Sequence, residues 1–185
     1  MLANKVVWIT GASSGIGEEL AVACAAQGAR IILSARREEE LNRVAKRCNL
    51  LSENILVLPL DLEHTENVET LTQTIVSKFG RIDVLINNGG MGHRTLAVNT
   101  PTAIDRKIIE INFFGTVNIS KSVARQMKTQ GSGKIVVITS IMGKYGLALY
   151  STYSASKHAL NGYFEAMRMD LMKDNVKVLV VAPGF

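Results

Sequence analysis

The sequence has few cysteines, few aromatic residues and no long apolar run. Its two cysteines, Cys24 and Cys48, form no CxxC pair and have no histidine nearby that would complete a zinc site. We therefore expect no bound metal and interpret both as buried side chains in a reducing compartment. No apolar stretch approaches the roughly 20 residues that cross a bilayer, and the first apolar run follows Met1 too closely for a signal peptide. These absences predict a cytoplasmic protein with no membrane segment.

Composition and charge predict one domain and do not identify a partner. The chain of 185 residues is 47% hydrophobic and 20% charged, which suits a single well-buried domain over residues 1–185. The formal charge is +5, but no aromatic-rich strand or basic recognition motif accompanies it, so we expect no nucleic-acid partner. Arg36 and Arg37 are placed for a phosphate, whereas Arg43, Lys46 and Arg47 recur at helical spacing and predict a solvated face.

Short apolar runs alternate with longer amphipathic segments, which is the pattern of strand–helix–strand crossover units. The runs are rich in Val, Ile and Leu and mostly lack polar alternation, as strands covered on both faces should. They predict six strands, at residues 5–10, 30–34, 55–60, 82–87, 134–140 and 176–181. The segments between them predict helices at residues 15–27, 37–48, 66–79, 102–130 and 152–173.

This alternation predicts an α/β fold, specifically a Rossmann-type doubly wound parallel sheet in a three-layer αβα arrangement with strand order 3-2-1-4-5-6. In such a sheet the ligand crevice lies at the carboxyl ends of the first and fourth strands. Functional residues are therefore expected directly after strands.

A glycine-rich turn follows the first predicted strand, with the spacing TGxxxGxG rather than GxGxxG. Glycines allow a tight turn and close backbone approach to a pyrophosphate, and the following helix N-terminus offers free N–H groups to it. A plain structural turn is the alternative, but the position after the first strand favours a dinucleotide loop. Its predicted contact residues are Gly11, Ser13, Ser14, Gly15, Ile16 and Gly17.

The end of the second strand indicates which dinucleotide is bound. NAD-specific domains carry a carboxylate there for the ribose 2′-hydroxyl, whereas a basic residue accommodates a 2′-phosphate. This chain has Ser34-Ala35-Arg36-Arg37 and no carboxylate. The alternative reading is a charged first turn of a surface helix, but arginines are electrostatically unfavourable at a helix N-terminus. We therefore predict NADP(H) as the cofactor, with Arg36 at the 2′-phosphate.

Tyr153 and Lys157 stand four residues apart on a predicted helix and so share one face. A phenol is a poor base at neutral pH, but a nearby ammonium favours the phenolate and lowers its pKa toward the working range. Ser140, at a strand end, is placed to donate a hydrogen bond to a substrate oxygen. The alternatives are a core tyrosine with a coincidental lysine and a serine that caps a turn.

The chain resembles the short-chain dehydrogenase/reductase family over its whole length. Five features carry the resemblance in order, each at a strand end: residues 10–17, Asp61-Leu62, residues 87–90, Ser140, and Tyr153 with Lys157. The resemblance implies that Lys157 also binds the nicotinamide ribose and that Asn112 anchors a water relaying protons from Lys157, although Asn112 also suits a buried residue tied to backbone. The remaining cofactor contacts that it implies are Asp61 and Leu62 near the adenine, Asn88, Gly89, Pro183 and Gly184.

The resemblance also sets expectations for activity and assembly. It implies an oxidoreductase that interconverts an alcohol and a carbonyl, and a homodimer or homotetramer. The segment between Ser140 and Tyr153 contains the apolar residues Ile141, Met142, Leu147, Ala148 and Leu149, which indicate a hydrophobic small-molecule alcohol or ketone as the substrate. The family usually has alanine where this chain has Gly89, a change expected to be tolerated with a looser turn. Family members also continue beyond Phe185 into a substrate-covering segment and a seventh strand, so we expect the domain to be incomplete at its C-terminus. A cofactor-binding or scaffold protein without turnover is the alternative function.

Overall fold

The computed structural model describes residues 2–184 and contains one parallel sheet of six strands. The strand order is β3-β2-β1-β4-β5-β6, which confirms the predicted doubly wound topology. The strands are β1 (Val6–Thr10), β2 (Arg30–Ser34), β3 (Ile55–Val57), β4 (Val84–Asn87), β5 (Gly133–Ile138) and β6 (Val176–Val181). Every residue of β1 is buried, since this central strand is covered on both faces.

Helices cover both faces of the sheet and divide the core into two apolar clusters. The helices are α1 (Gly15–Ala26), α2 (Glu38–Cys48), α3 (Val68–Phe79), α4 (Thr102–Ile109), α5 (Thr116–Thr129) and α6 (Ser151–Asp170). One cluster joins Val7 and Ile9 to α1 and α2, and the other joins Val6 and Trp8 to α3, α5 and α6. The alternation along β1 therefore distributes its side chains between the two layers.

In most elements the observed bounds differ from the predicted ones by one to three residues; the third strand is shortened and the long helix is interrupted. The third strand ends at Val57 instead of residue 60, although Leu58 and Leu60 still donate to Leu33 of β2 and to Ala35 after it. Pro59 lies between these two donors, at a position of an edge strand that faces away from β2 and needs no N–H. The long helix predicted over residues 102–130 is interrupted by a π-helical turn, Glu110–Gly115. Such turns are frequent at functional sites, and this one contains Asn112.

Arg43 and Arg47 lie on the exposed face that was predicted, and their guanidinium groups also form an ion-pair contact between helices. Arg43 donates to the Glu18 carboxylate at 2.7 and 2.8 Å, and Arg47 binds the same carboxylate. The two guanidinium groups lower the pKa of Glu18 from 4.5 to about 2. Lys46 also lies on the predicted exposed face. The two arginines thus hold α2 against the first turns of α1, directly behind the glycine-rich loop.

Within residues 2–184, no helix has both the length and the apolar character required to span a membrane.

Candidate active site

The loops that follow β1 and β4 are joined by hydrogen bonds around Thr10 and Asn88. The Thr10 hydroxyl accepts from the backbone N–H groups of Asn88 and Gly89, each at 3.1 Å. In return, the Asn88 side-chain amide donates to the carbonyls of Thr10 and Gly11 at 3.3 and 3.2 Å. These bonds fix the glycine-rich loop at the point where the strand order reverses, which is where such sheets bind their ligands.

Glycines in this region are required by close contacts and by backbone conformation. Gly11 has φ +64°, and a Cβ added there would lie 2.6 Å from Gly89 Cα. A Cβ on Gly17 would lie 2.3 Å from the Gly11 carbonyl oxygen. Gly15 has φ +56°, but a Cβ there would meet no atom within 4 Å, so its outer side is open. The loop is therefore packed tightly at Gly11 and Gly17 and is accessible at Gly15, which suits the close approach of a phosphate to the backbone.

A cavity of about 350 Å³ extends from this loop across the ends of β2 and β3. Eight of the predicted cofactor residues line it: Gly11, Ser13, Ser14, Arg36, Asp61, Leu62, Asn88 and Gly89. Gly15 and Gly17 lie outside the lining, the latter buried beneath the loop. The arrangement brings the glycine-rich loop and the basic end of β2 to one continuous cavity.

The basic end of the cavity contains Arg37 as well as the predicted Arg36. The Arg37 guanidinium lies 3.5 Å from the Ser13 hydroxyl, so this residue is connected to the glycine-rich loop. Asp61 also lines the cavity, and one of its carboxylate oxygens already accepts a hydrogen bond from the Glu63 N–H at 3.0 Å, which caps a turn. Two guanidinium groups without a carboxylate on β2 are suited to a phosphate monoester.

Leu62 fills the space that an alanine at position 89 would use. A Cβ on Gly89 would lie 2.6 Å from Leu62 Cδ1, and one on Gly115 would lie 2.3 Å from the Leu62 carbonyl oxygen. Leu62 is therefore held between two glycines, one beside the cavity and one in the π-helical turn. The looser turn expected at Gly89 does not occur, because the leucine side chain occupies the available volume.

A second cavity of about 270 Å³ adjoins the first and contains the predicted reactive residues. Asn88, Gly90 and Met91 line both cavities. The predicted residues that line the second are Ile16, Ser140, Tyr153, Lys157, Pro183 and Gly184. Ile16 is 53% exposed, which is unusual for an isoleucine and leaves its apolar surface on the cavity wall. The ends of β5 and β6 and the start of α6 thus meet at one place.

Lys157 is almost completely buried, with 4% of its surface exposed. Its Nζ donates to the Ile138 carbonyl at 3.0 Å and lies 5.6 Å from the centroid of the Tyr153 ring. Burial disfavours the ammonium form and lowers the pKa of Lys157 from 10.5 to about 8. The lysine is therefore able to gain or lose a proton near neutral pH.

The pKa of Tyr153 is raised by burial, and the nearby Ser140 hydroxyl acts in the opposite direction through a hydrogen bond. The lowering expected from Lys157 does not arise from the protein's own groups here. The hydrogen bond that Lys157 Nζ makes is to the Ile138 carbonyl and not to the phenol. The phenol is therefore held in its protonated form.

Ser140 is oriented by the turn that follows it. Its Oγ accepts from the Met142 N–H at 3.1 Å, and its backbone is extended. Because the oxygen accepts this bond, the hydroxyl hydrogen is available to donate elsewhere. Capping, the alternative considered for this serine, and a role toward a substrate oxygen are therefore compatible.

Asn112 is 1% exposed and its side chain is fully engaged. Its Oδ1 accepts from the Met91 N–H at 2.8 Å, while Nδ2 donates to the Met91 carbonyl at 2.9 Å and to the Ser156 hydroxyl at 3.0 Å. A buried residue tied to backbone, the alternative considered for Asn112, is what the structure contains. The side chain joins the loop after β4 to α6.

Three contributors were not identified from the sequence: Thr10, Arg37 as a partner of Ser13, and Asn161, which donates from α6 to the carbonyl of Gly143 in the turn after Ser140. Thr10 is the last residue of β1, and the sequence predicted no hydrogen-bond partner for its hydroxyl. For Asn161 a signal was present, since Tyr153, Lys157 and Asn161 recur every four residues and so share one face of the helix. The spacing alone gave no chemical reason to select an amide.

The strand order, the glycine-rich loop and the two adjoining cavities are those of a Rossmann-type nucleotide-binding domain. Its reactive site contains Tyr153 and Lys157. The chain belongs to the short-chain dehydrogenase family, whose sequence model matches residues 5–185. It is 49% identical over 188 residues to the human dehydrogenase/reductase SDR family member 7, covering 99% of this chain and 56% of that protein. A Drosophila melanogaster family protein 7-like relative is 38% identical over 190 residues, covering 100% of this chain and 58% of that protein.

Solved structures have the same fold. A short-chain dehydrogenase from Streptomyces avermitilis superposes with a TM-score of 0.91 at 32% identity, covering 97% of this chain and 65% of that one. A metagenomic short-chain oxidoreductase, solved in complex with NADP, superposes with a TM-score of 0.93 at 31% identity. The match covers 100% of this chain and 84% of that one. The chain spans about half the length of the curated relatives it matches.

The contact between Leu62 and Gly89 leads to a prediction about stability. We expect Gly89→Ala to destabilise the domain by about 1 kcal/mol, the lower end of the cost of overpacking, because the new methyl meets Leu62 Cδ1, the end of a flexible side chain that can shift toward the cavity. Adding Leu62→Val should recover much of this loss, since it removes part of the colliding side chain. Chemical denaturation of the wild type, both single variants and the double variant measures the coupling. Additive effects in the double variant would contradict the contact.

Proposed function

We propose that the protein is an NADP(H)-dependent oxidoreductase that interconverts an alcohol and a carbonyl. The observation that carries the proposal is the convergence of Ser140, Tyr153 and Lys157 on one cavity that adjoins a nucleotide-sized cavity beside the glycine-rich loop. A nicotinamide dinucleotide bound across both cavities supplies or accepts a hydride. The remaining steps are proton transfer and charge stabilisation by the protein's own side chains.

Tyr153 is the general acid in the reductive direction and the general base in the oxidative one. Burial keeps its phenol protonated, which suits donation to a carbonyl oxygen that gains negative charge. Ser140 turns its hydroxyl hydrogen from Tyr153 to the same oxygen and stabilises the developing alkoxide. Lys157 binds the ribose hydroxyls and, when protonated, favours the phenolate that remains on Tyr153.

We propose that protons reach Lys157 by a path past Asn112. A Cβ on Gly90 would lie 3.0 Å from Asn112 Oδ1 and 3.7 Å from Lys157 Nζ, so both groups border the same small region. Because the Asn112 side chain is occupied, the group proposed to bind a relay water is its backbone carbonyl in the π-helical turn. The lysine's pKa of about 8 suits a relay at neutral pH.

Two further assignments rest on the surroundings of the site. The substrate is proposed to be small and hydrophobic, because Tyr145 and Leu147, 48% and 36% exposed, lie in the loop between Ser140 and Tyr153. Assembly as a homodimer or homotetramer is proposed through α4, α5 and α6, because Phe114, in the π-helical turn between α4 and α5, is 45% exposed. Preference for NADP(H) is supported by Arg36 and Arg37 and by the absence of a carboxylate at the end of β2.

The reaction is tested with Tyr153→Phe. This variant removes the phenolic proton and keeps the ring, so we expect NADPH oxidation across a panel of hydrophobic aldehydes and ketones to be lost while NADPH still raises the thermal midpoint. Turnover that equals the wild type would contradict the role of Tyr153. A wild type that binds NADPH and turns over no member of the panel would favour the cofactor-binding alternative.

Cofactor preference is tested by thermal shift with Arg36→Ala. We expect NADPH to raise the midpoint of the wild type more than NADH does, and the variant to respond to the two equally, because the 2′-phosphate loses a guanidinium partner. Lys46→Ala, which removes an exposed charge from α2, the helix that follows Arg36, is the matched control and should keep the preference. Equal shifts from both nucleotides in the wild type would rule out the NADP(H) assignment.

A further inference from the structure

The turn that orients Ser140 is attached to α6 at Asn161. In the 3₁₀ turn Ile141–Gly143, the Gly143 N–H donates to the Ser140 carbonyl at 2.8 Å, and the Gly143 carbonyl accepts from Asn161 Nδ2 at 2.6 Å. Asn161 is 7% exposed. It lies one helical turn beyond Lys157 on the face that also carries Tyr153. A single side chain therefore connects the Ser140 turn to the helix that holds the other two reactive residues.

Close packing reinforces this connection. A Cβ on Gly143 would lie 2.9 Å from Asn161 Nδ2 and 3.0 Å from the Lys157 carbonyl oxygen. The first contact is shorter than those that real Cβ atoms make, and the second is tight enough that the turn or the helix backbone would have to shift. Gly143 is thus the residue that allows the turn to rest directly on α6.

The hydrogen bonding of Asn161 argues against a purely stabilising role. Within the part of the chain that the structure describes, its Oδ1 is buried and has no hydrogen-bond partner. Burying an amide oxygen without a donor is costly, and an apolar side chain of similar size avoids that cost. Stability alone therefore does not explain an asparagine at this position, whereas a directed bond to the Gly143 carbonyl does.

We propose that Asn161 is a positioning residue for Ser140, acting through the Gly143 carbonyl to hold the serine hydroxyl in register with Tyr153. This inference rests on the proposed function for its catalytic consequence. Its structural consequence, the placement of Ser140 beside Tyr153, exists in the nucleotide-free protein.

The test compares Asn161→Leu with the wild type in two measurements. The first is the titration of Tyr153 without nucleotide, followed by NMR of labelled tyrosine ring carbons and assigned with Tyr153→Phe. Because Ser140 opposes the upward shift caused by burial, we expect the Tyr153 pKa to rise in Asn161→Leu and in Ser140→Ala, with no further rise in the double variant. The second is turnover, where kcat should fall by about tenfold to a hundredfold, as expected of a misplaced group, with NADPH affinity unchanged.

Two glycine variants complete the design. Gly143→Ala should reproduce both effects with Asn161 intact, because its methyl lifts the turn from α6. Gly162→Ala adds the same methyl next to Asn161, where it meets no atom within 4 Å, and should behave as the wild type. An unchanged Tyr153 titration in both Asn161→Leu and Gly143→Ala would overturn the inference. A wild type without turnover would contradict the proposed function instead, and the titration would still decide the role of Asn161.

Discussion

The burial of the Lys157 ammonium is the constraint on which the rest of the site depends. Among residues 2–184 its hydrogen-bond partner is the backbone carbonyl of Ile138, and not a carboxylate. A lysine that is 4% exposed under these conditions is destabilising in its charged form, which is why its pKa falls to about 8. The end of β5 supplies the acceptor, α6 supplies the lysine, and Gly90 leaves the space beside Nζ. The fold tolerates this cost at the one place where an ammonium and a phenol share a cavity.

Small residues determine how the nucleotide cavity and the reactive cavity join. Asn88 fixes the first loop from the side, while Gly11, Gly17 and Gly89 allow backbones to approach where side chains would collide. Glycine at position 89 leaves a space the size of a methyl group, and the neighbouring Leu62 side chain fills that space. Asn112 then ties the same loop to α6. The two cavities are consequently held in fixed relation by hydrogen bonds and contacts rather than by any single element.

The sheet and most of the site could be predicted from the sequence, because buried parallel strands read as continuous runs of Val, Ile and Leu and the functional groups follow them directly. Contacts between segments that are distant in the sequence could not be predicted in this way. The pairing of Glu18 with Arg43 and Arg47 and the contact of Leu62 with Gly89 depend on how helices and loops pack. The π-helical turn at Asn112 has no periodic signal in the sequence. The direction of the Tyr153 pKa was also missed, since burial, which opposes the expected effect of Lys157, is a property of the folded chain.

The most direct measurement is the thermal midpoint of Lys157→Met against pH, without nucleotide. The lysine pKa is about 8 in the folded chain and 10.5 in its unperturbed form, so its burial cost is present below about pH 8 and is relieved as pH rises toward 10.5. We expect Lys157→Met to have a higher thermal midpoint than the wild type at pH 7 and to lack turnover. The difference between the two midpoints should narrow above pH 8. Lys144→Met, at an exposed lysine, should show no such difference. A variant that is less stable than the wild type at pH 7, or a difference independent of pH, would contradict the account of Lys157 as a charge buried for function.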